Sequence, residues 1–370
     1  ISASLPETGG TLTIDLAAIA ANWRTLARQI RTAECAAVVK ANAYGLGVEA
    51  VTSKLDGAGC KTFFVADLAE ARRVRACARG AAIYVLGGFS PDIGPGYIDV
   101  SARPVINSTT ELAEWDAFVA ANDWRGGAAI HVDTGMNRLG MRCDEATALA
   151  PRVQTENHGI TLLMSHMACA EIPDHPLNAA QIRLFKGLRG LFGGVPASLA
   201  NSSAIFLADS THCELARPGA ALYGVNPTPG RANPMQSVVA LTSRILQIRT
   251  VERGQTVGYG AAWAAKRPTR LAVAALGYAD GLLRASSGLN EARGVASIAG
   301  KLCPFIGLIS MDLVCIDVTD LPDGSVRRGD LATFIGDGTS IDDVAARAGT
   351  IGYEILTQLG RRCHIVYSGV

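Results

Sequence analysis

The stretch Ala36–Gly47, AAVVKANAYGLG, decides the fold. Its first four residues, Ala36, Ala37, Val38 and Val39, form a short continuous apolar run, the pattern of a strand buried on both faces. Lys40 stands at the C-terminal end of that run, where burial penalises an ammonium group. Asn42, Tyr44, Gly45 and Gly47 follow at once and supply polar handles and backbone freedom for a turn. Desolvation lowers a lysine pKa, by ~3–5 units at full burial. An amine so lowered is a nucleophile toward carbonyls and a Schiff-base former. A strand-end lysine can also snorkel to water on its aliphatic stem. The stretch alone leaves both roles open.

Outward from Lys40 a regular cadence sets in. Apolar β-rich runs recur at Thr62–Ala66, Ile83–Leu86, Pro104–Asn107, Ala129–Asp133, Leu162–Ser165, Ala197–Asn201 and Ala220–Tyr223. Ala/Glu/Arg-rich helical segments such as Asp67–Ala78 and Thr110–Ala121 lie between them. The alternation predicts a parallel sheet with crossover helices. With the lysine strand the count reaches eight, the number at which such a sheet closes into a (β/α)8 TIM-type barrel. An open doubly wound sheet is the rival, but it would carry a GxGxxG loop after its first strand, and this chain does not. Before the lysine, TLTIDL (11–16) alternates like a strand and Asp15 can cap a helix over Leu16–Arg28.

Pro227–Pro234, with three prolines and a glycine, reads as a linker. Beyond it the chain reads as short strands between turns: Val238–Val251, Arg270–Leu276, Gly294–Ile298, Lys301–Ile309, Leu313–Val318 and Asp330–Phe334. This predicts a mainly antiparallel β-domain. Ser340 caps a helix over Ile341–Ala348, another helix follows from Tyr353, and His364–Tyr367 closes as a strand. The expected division is a barrel over 11–230 and a β-domain over 236–370, with residues 1–10 packing beside the latter.

Bulk properties exclude several classes. Hydrophobic residues at 49% and charged residues at 18% of 370 describe a folded enzyme rather than a disordered chain. A net charge of +1 gives no reason to expect nucleic acid or an anionic membrane as partner. No apolar run approaches the ~18–20 residues that span a bilayer. Nine cysteines without CxxC pairs read as reduced thiols in a cytoplasmic protein, with no metal site. No signal peptide is visible, although a chain beginning at Ile1 leaves room for a removed leader or trimmed tag.

The lysine stretch is followed in order by VDTGMNRLGM (132–141), NSSA (201–204), RPGAALYG (217–224), VGYG (257–260), GYADG (277–281), SMD (310–312) and GYEIL (352–356). These eight strings resemble the alanine racemase family, the barrel-type (fold type III) branch of the pyridoxal-phosphate enzymes, from about Thr11 to the C-terminus. The resemblance implies pyridoxal 5'-phosphate bound to Lys40 and a homodimer with shared active sites. Tyr44, Asn201, Ser202, Gly219, Ala220 and Tyr353 match the residues around the cofactor phosphate. On the residues alone, Asn201 and Ser202 read first as an ordinary helix cap.

Arg217 matches the arginine facing the pyridine nitrogen. A guanidinium only donates hydrogen bonds, so it discourages protonation of that nitrogen and makes the ring a poorer electron sink. Racemisation needs proton removal on one face of Cα and delivery on the other. By resemblance Lys40 serves the D-alanine face, and Tyr259, reaching in from the partner subunit, serves the L-alanine face. His166 matches the histidine linking that tyrosine to Arg217. Arg138 matches a contact to the cofactor phenolate oxygen and substrate carboxylate, and Met311 binds that carboxylate through its backbone N–H. Tyr278 and Tyr353 match an inner gate sized for alanine.

There are two departures. His131 stands where many relatives carry a carbamylated lysine that orients the arginine, and a histidine cannot form that carbamate. Ser310 stands where cysteine is common, a change expected to be neutral. The implied activity is interconversion of L- and D-alanine, for peptidoglycan or for alanine catabolism. A serine or broad-specificity racemase of the same fold remains open, as does, from a different class, a non-catalytic pyridoxal-phosphate carrier. Such carriers resemble the barrel alone. Barrel-type decarboxylases share the architecture without these strings.

Overall fold

The computed structural model describes residues 7–156, 159–289, 293–336 and 338–370. The chain forms two compact units, one of residues 19–236 and one of residues up to 18 together with 237–370.

In the first unit, seven parallel strands run in chain order: Ala37–Val38, Thr62–Val65, Ala82–Val85, Arg103–Ile106, Ala128–His131, Ile160–Met164 and Ala197–Ser198. Their continuous burial matches the two-sided burial that a parallel sheet demands. Phe64, Tyr84, Val105, Ala129, Leu162 and Met164 fill the interior. The helices that return the chain start at good caps. Asp67 accepts from the Glu70 N–H, and Ser108 accepts from the Glu111 N–H.

The eighth strand is Leu215–Ala216, not Ala220–Tyr223. It pairs in parallel with Glu34–Cys35. Glu214 N–H donates to the Ala197 carbonyl, Arg217 N–H to that of Ala200, and Val38 N–H to that of Pro218, which closes the barrel. Ala220–Tyr223 is a 3-10 turn instead. Pro218 has no N–H to continue a ladder, and a short buried apolar run cannot reveal its own geometry.

In the second unit, the long strand Val239–Val251 pairs antiparallel with Gly10–Asp15, Leu331–Ile335 and Thr269–Ala274. Pairings through Val314–Asp317, Lys301–Ile306 and Val295–Ile298 return to Leu331–Ile335 and close six strands on themselves. The strand Gly10–Asp15, expected in the barrel segment, lies in this sheet, between Val239–Val251 and His364–Ser368. Its burial alternates residue by residue, as one-faced sheets require. Of residues 1–10, expected beside the β-domain, 1–6 lie outside the described residues; the Gly9 carbonyl accepts from Ser243 Oγ. Asp15 Oδ1 accepts from the Ala18 N–H and caps the helix Leu16–Gln29. The helix Ile341–Ala348 starts at a capping box between Ser340 and Asp343, and the helix Gly352–Gln358 follows. No helix among the described residues is long and apolar enough to cross a membrane.

Candidate active site

Immediately after the first barrel strand, the chain takes an unusual turn. Ala41, Asn42 and Ala43 lie at φ 53 to 56°, and Tyr44 at φ 56°, all in the left-handed region. Four non-glycine residues there cost about 1–2 kcal/mol each. Gly45 and Gly47 also have positive φ, but the strain falls on the residues before them. Glu70 holds the turn. One carboxylate oxygen accepts from the Asn42 N–H at 3.0 Å and the other from the Ala66 N–H at 2.9 Å. Asn42 Oδ1 in turn accepts from the Val48 N–H and from Arg73. The turn leaves Lys40 half-buried at the barrel mouth. Burial, then Arg138, holds its ammonium pKa below the ordinary lysine value, with Glu70 opposing.

Across the mouth, Ser202 Oγ accepts from the Gly219 N–H at 3.0 Å and from the Ala221 N–H at 3.2 Å. Both lone pairs of that hydroxyl are used, so its hydrogen is left to donate to an incoming acceptor. A Cβ on Gly219 would lie 2.3 Å from the Tyr44 hydroxyl, so Tyr44 packs on bare backbone that only glycine provides. Tyr44 also packs on Tyr223, whose hydroxyl donates to the Val38 carbonyl. Ser202, Tyr44 and the backbone of Gly219–Ala220 thus form a cup of hydroxyls and peptide groups suited to an oxyanion. Asn201 differs: its Oδ1 caps the turn Ala204–Phe206, and its Nδ2 donates to the Met167 carbonyl.

Beside Lys40 lies a group of cationic and neutral nitrogen bases. Arg217 is 4% exposed and donates to Ser198 Oγ and to the Ser165 carbonyl. Burial lowers its pKa to about 10, which still leaves it charged at neutral pH. His166 feels burial first, then Arg217, Arg138, His131 and Lys40, and its pKa falls to about 3. His131 falls to about 4 through burial and Arg217, against a smaller opposing pull from Asp133. Both imidazoles are therefore neutral at neutral pH. Asp133 spends its carboxylate on the N–H groups of Gly135, Met136 and Asn137, which shapes the loop that carries the exposed Arg138.

The β-domain carries the remaining predicted residues. Tyr259 sits in a turn between Gly258 (φ 77°) and Gly260 (φ 68°) and is 70% exposed. Tyr278 and Met311 are 43% and 52% exposed, on loops joined to each other. Tyr278 N–H donates to the Ser310 carbonyl and Ala279 N–H to that of Met311. Arg362 ties those loops by pairing with Asp312 at 2.7 Å and with Asp280 at 3.3 Å. The Ser310 backbone makes loop contacts, its N–H donating to the Leu313 carbonyl. Tyr353 projects from the helix Gly352–Gln358, 43% exposed.

A family model described as alanine racemase, N-terminal domain, matches residues 14–227, and one described as alanine racemase, C-terminal domain, matches residues 238–367. The chain belongs to the alanine racemase family. It is 52% identical over 359 residues to an alanine racemase of Methylobacterium sp. (strain 4-46), covering 97% of this chain and 98% of that one. A catabolic alanine racemase of Mesorhizobium japonicum is 47% identical over 363 residues, covering 98% and 94%. Among solved structures, the alanine racemase of Bartonella henselae with covalently bound pyridoxal phosphate superposes with TM-score 0.92 at 37% identity, covering 98% of this chain and all of that one.

Within this family site, sequence reasoning missed Glu70, Glu111 and Asn107. Glu111 repeats the device of Glu70, accepting from the Asn107 and Phe89 N–H groups and so joining the ends of adjacent barrel strands. The readable signal was the capping spacing, Asp67 to Glu70 and Ser108 to Glu111. In both cases the glutamate reaches past its own cap to a neighbouring strand end.

Proposed function

We propose that the chain is a pyridoxal 5'-phosphate-dependent alanine racemase that interconverts L- and D-alanine with two bases, Lys40 and Tyr259. The observation that carries this reading is the barrel mouth itself. A lysine of lowered basicity stands among Arg217, Arg138 and two neutral histidines, in the same barrel as a Ser202 hydroxyl whose two acceptor positions are filled by backbone N–H groups and whose hydrogen is left to donate. Those residues fit the cofactor: Ser202, Tyr44 and Gly219–Ala220 would hold its phosphate, and Arg217 would face its ring nitrogen. When bound, the cofactor supplies the electron-withdrawing carbonyl chemistry that acidifies the α-hydrogen of the amino acid.

The residues then divide the work. Lys40 Nζ takes a proton from the D-face of Cα as the free amine and returns one there as the ammonium. Tyr259 Oη does the same on the L-face. Arg217, a permanent donor, keeps the ring nitrogen from holding a proton of its own. His166, neutral, can accept from Arg217 and donate toward the tyrosine oxygen. Arg138 and the Met311 N–H orient the carboxylate, and Tyr278 and Tyr353 narrow the entrance. Tyr259 and Met311 come from a second copy of the chain, so that each site is shared in a C2 dimer. Their exposure in the single chain supports this, because large exposed side chains on convergent loops suit an interface. A β-domain matched over residues 238–367 favours catalysis over a non-catalytic carrier role. All nine cysteines are free thiols, a state kept by reducing compartments, and the reaction is assigned to the cytoplasm.

The test is covalent. Borohydride reduction of the protein loaded with cofactor should fix the label to Lys40, and the unreduced protein should convert L-alanine to racemate by chiral analysis. A label on another lysine, or no D-alanine, contradicts the reading.

A further inference from the structure

Asn107 directly follows the barrel strand Arg103–Ile106, which pairs with the strand that ends at His131, and one contact fixes the orientation of its amide. Its Nδ2 donates to the Val105 carbonyl at 2.8 Å, so its Oδ1 is an acceptor. That oxygen lies 2.8 Å from His131 Nδ1. A neutral imidazole has one N–H and one lone pair. The contact with an acceptor puts the hydrogen on Nδ1 and leaves the lone pair on Nε2. Asn107 is itself fixed, because its own N–H donates at 2.6 Å to Glu111, whose other oxygen binds the Phe89 N–H. The charged groups acting on His131 are Arg217, Arg138 and Asp133, and the last is engaged by three backbone N–H groups. Arg138 makes no hydrogen bond to any described residue, so its guanidinium is available to a fixed acceptor.

We propose that Asn107 is a positioning residue that locks His131 as the Nδ1–H tautomer, so that Nε2 presents a fixed lone pair to the Arg138 guanidinium. The proposal rests on the racemase reading, in which Arg138 meets the substrate carboxylate. An uncharged acceptor, held by an amide one strand away, then does the orienting that an anionic side chain would otherwise do. In this assignment Asn107 acts through His131, to which its Oδ1 is bound.

The tautomer is read directly by nitrogen NMR of the holoenzyme labelled at histidine, with the His131 signals assigned by their loss in His131→Gln. At pH 8 His131 should show a protonated Nδ1 and an unprotonated Nε2. Asn107→Leu should shift it toward Nε2–H. In the same variant KM for alanine should rise about tenfold, roughly one charge-assisted hydrogen bond, with a much smaller change in kcat. Asn107→Asp, which keeps the acceptor, should retain the Nδ1–H signature and most of the affinity. An Nε2–H tautomer in the unaltered protein would overturn the proposal, as would an unchanged tautomer in Asn107→Leu. So would a dependence of KM on added bicarbonate or chloride, which would assign the orienting role to an anion. Absence of racemase activity with the Nδ1–H signature intact would instead defeat the function reading and leave the tautomer lock standing.

Discussion

The barrel mouth and the loops of the β-domain are built on opposite plans. At the barrel mouth nearly every predicted residue is buried or half-buried, and its position is fixed by backbone donors, by Glu70 and Glu111, or by a neighbouring hydroxyl. In the β-domain, Tyr259, Tyr278, Met311 and Tyr353 are exposed, and the loops that carry Tyr278 and Met311 are tied to each other through their backbones. Burial is what tunes the titrating groups, so the shifted bases lie on the barrel side. Exposed side chains can meet another surface. The contrast teaches that, on the proposed assignment, one half of the chemistry is preorganised within a chain and the other half is presented outward.

The contrast breaks most visibly at Tyr259. Tyr259→Phe should lower racemisation in both directions by about 10²–10⁴-fold, the usual weight of one general acid–base group. It should leave the unfolding free energy within about 0.5 kcal/mol, as for other exposed substitutions. Exchange of the D-alanine α-hydrogen for solvent deuterium should persist through Lys40, and faster exchange from L-alanine would reverse the two bases. On the barrel side Glu70→Ala should do the opposite. It orphans the partly buried Asn42 and Ala66 N–H groups under a strained turn, so stability should fall by about 1–3 kcal/mol in all. Urea denaturation read at equilibrium measures that loss, and a midpoint equal to the unaltered protein would refute the role of Glu70.

A smaller effect follows from the histidines. Unfolded, His131 and His166 take up protons near pH 6.5, whereas folded they resist until about 4 and about 3. Between those limits the unfolded chain binds more protons, so stability is retained above pH 6.5 and falls as the pH drops toward 4. His131→Gln should make that fall shallower, while Tyr259→Phe should leave its slope unchanged. Parallel denaturation series from pH 7 to pH 4 would show the difference.

Much of this was legible in the sequence because local pattern and burial agree. The continuous apolar runs of the barrel strands and the caps at Asp67, Ser108 and Ser340 all appear where local chemistry calls for them. The failures occurred where long-range pairing decides. TLTIDL alternates, the mark of a one-faced sheet, and it joined the β-domain. Its position ahead of the lysine strand had suggested the barrel. Ala220–Tyr223 is apolar and buried but sits beyond a proline, and its backbone turns. Asn107, Glu70 and Glu111 looked like ordinary polar residues near helix starts. Their importance comes from reaching across to neighbouring strand ends, which no one-dimensional spacing specifies.

The proposed sharing of each site between chains has a direct test. Lys40→Ala and Tyr259→Phe are prepared as separate inactive dimers, then dissociated, mixed in equal amounts and reassociated. In a shared arrangement a mixed dimer has one site with both defects and one with neither, so about a quarter of unaltered activity should return, half of the dimers being mixed. If mixed dimers are present by mass and no activity returns, Tyr259 serves the Lys40 of its own chain, and the division between a preorganised half and an outward-facing half is contradicted.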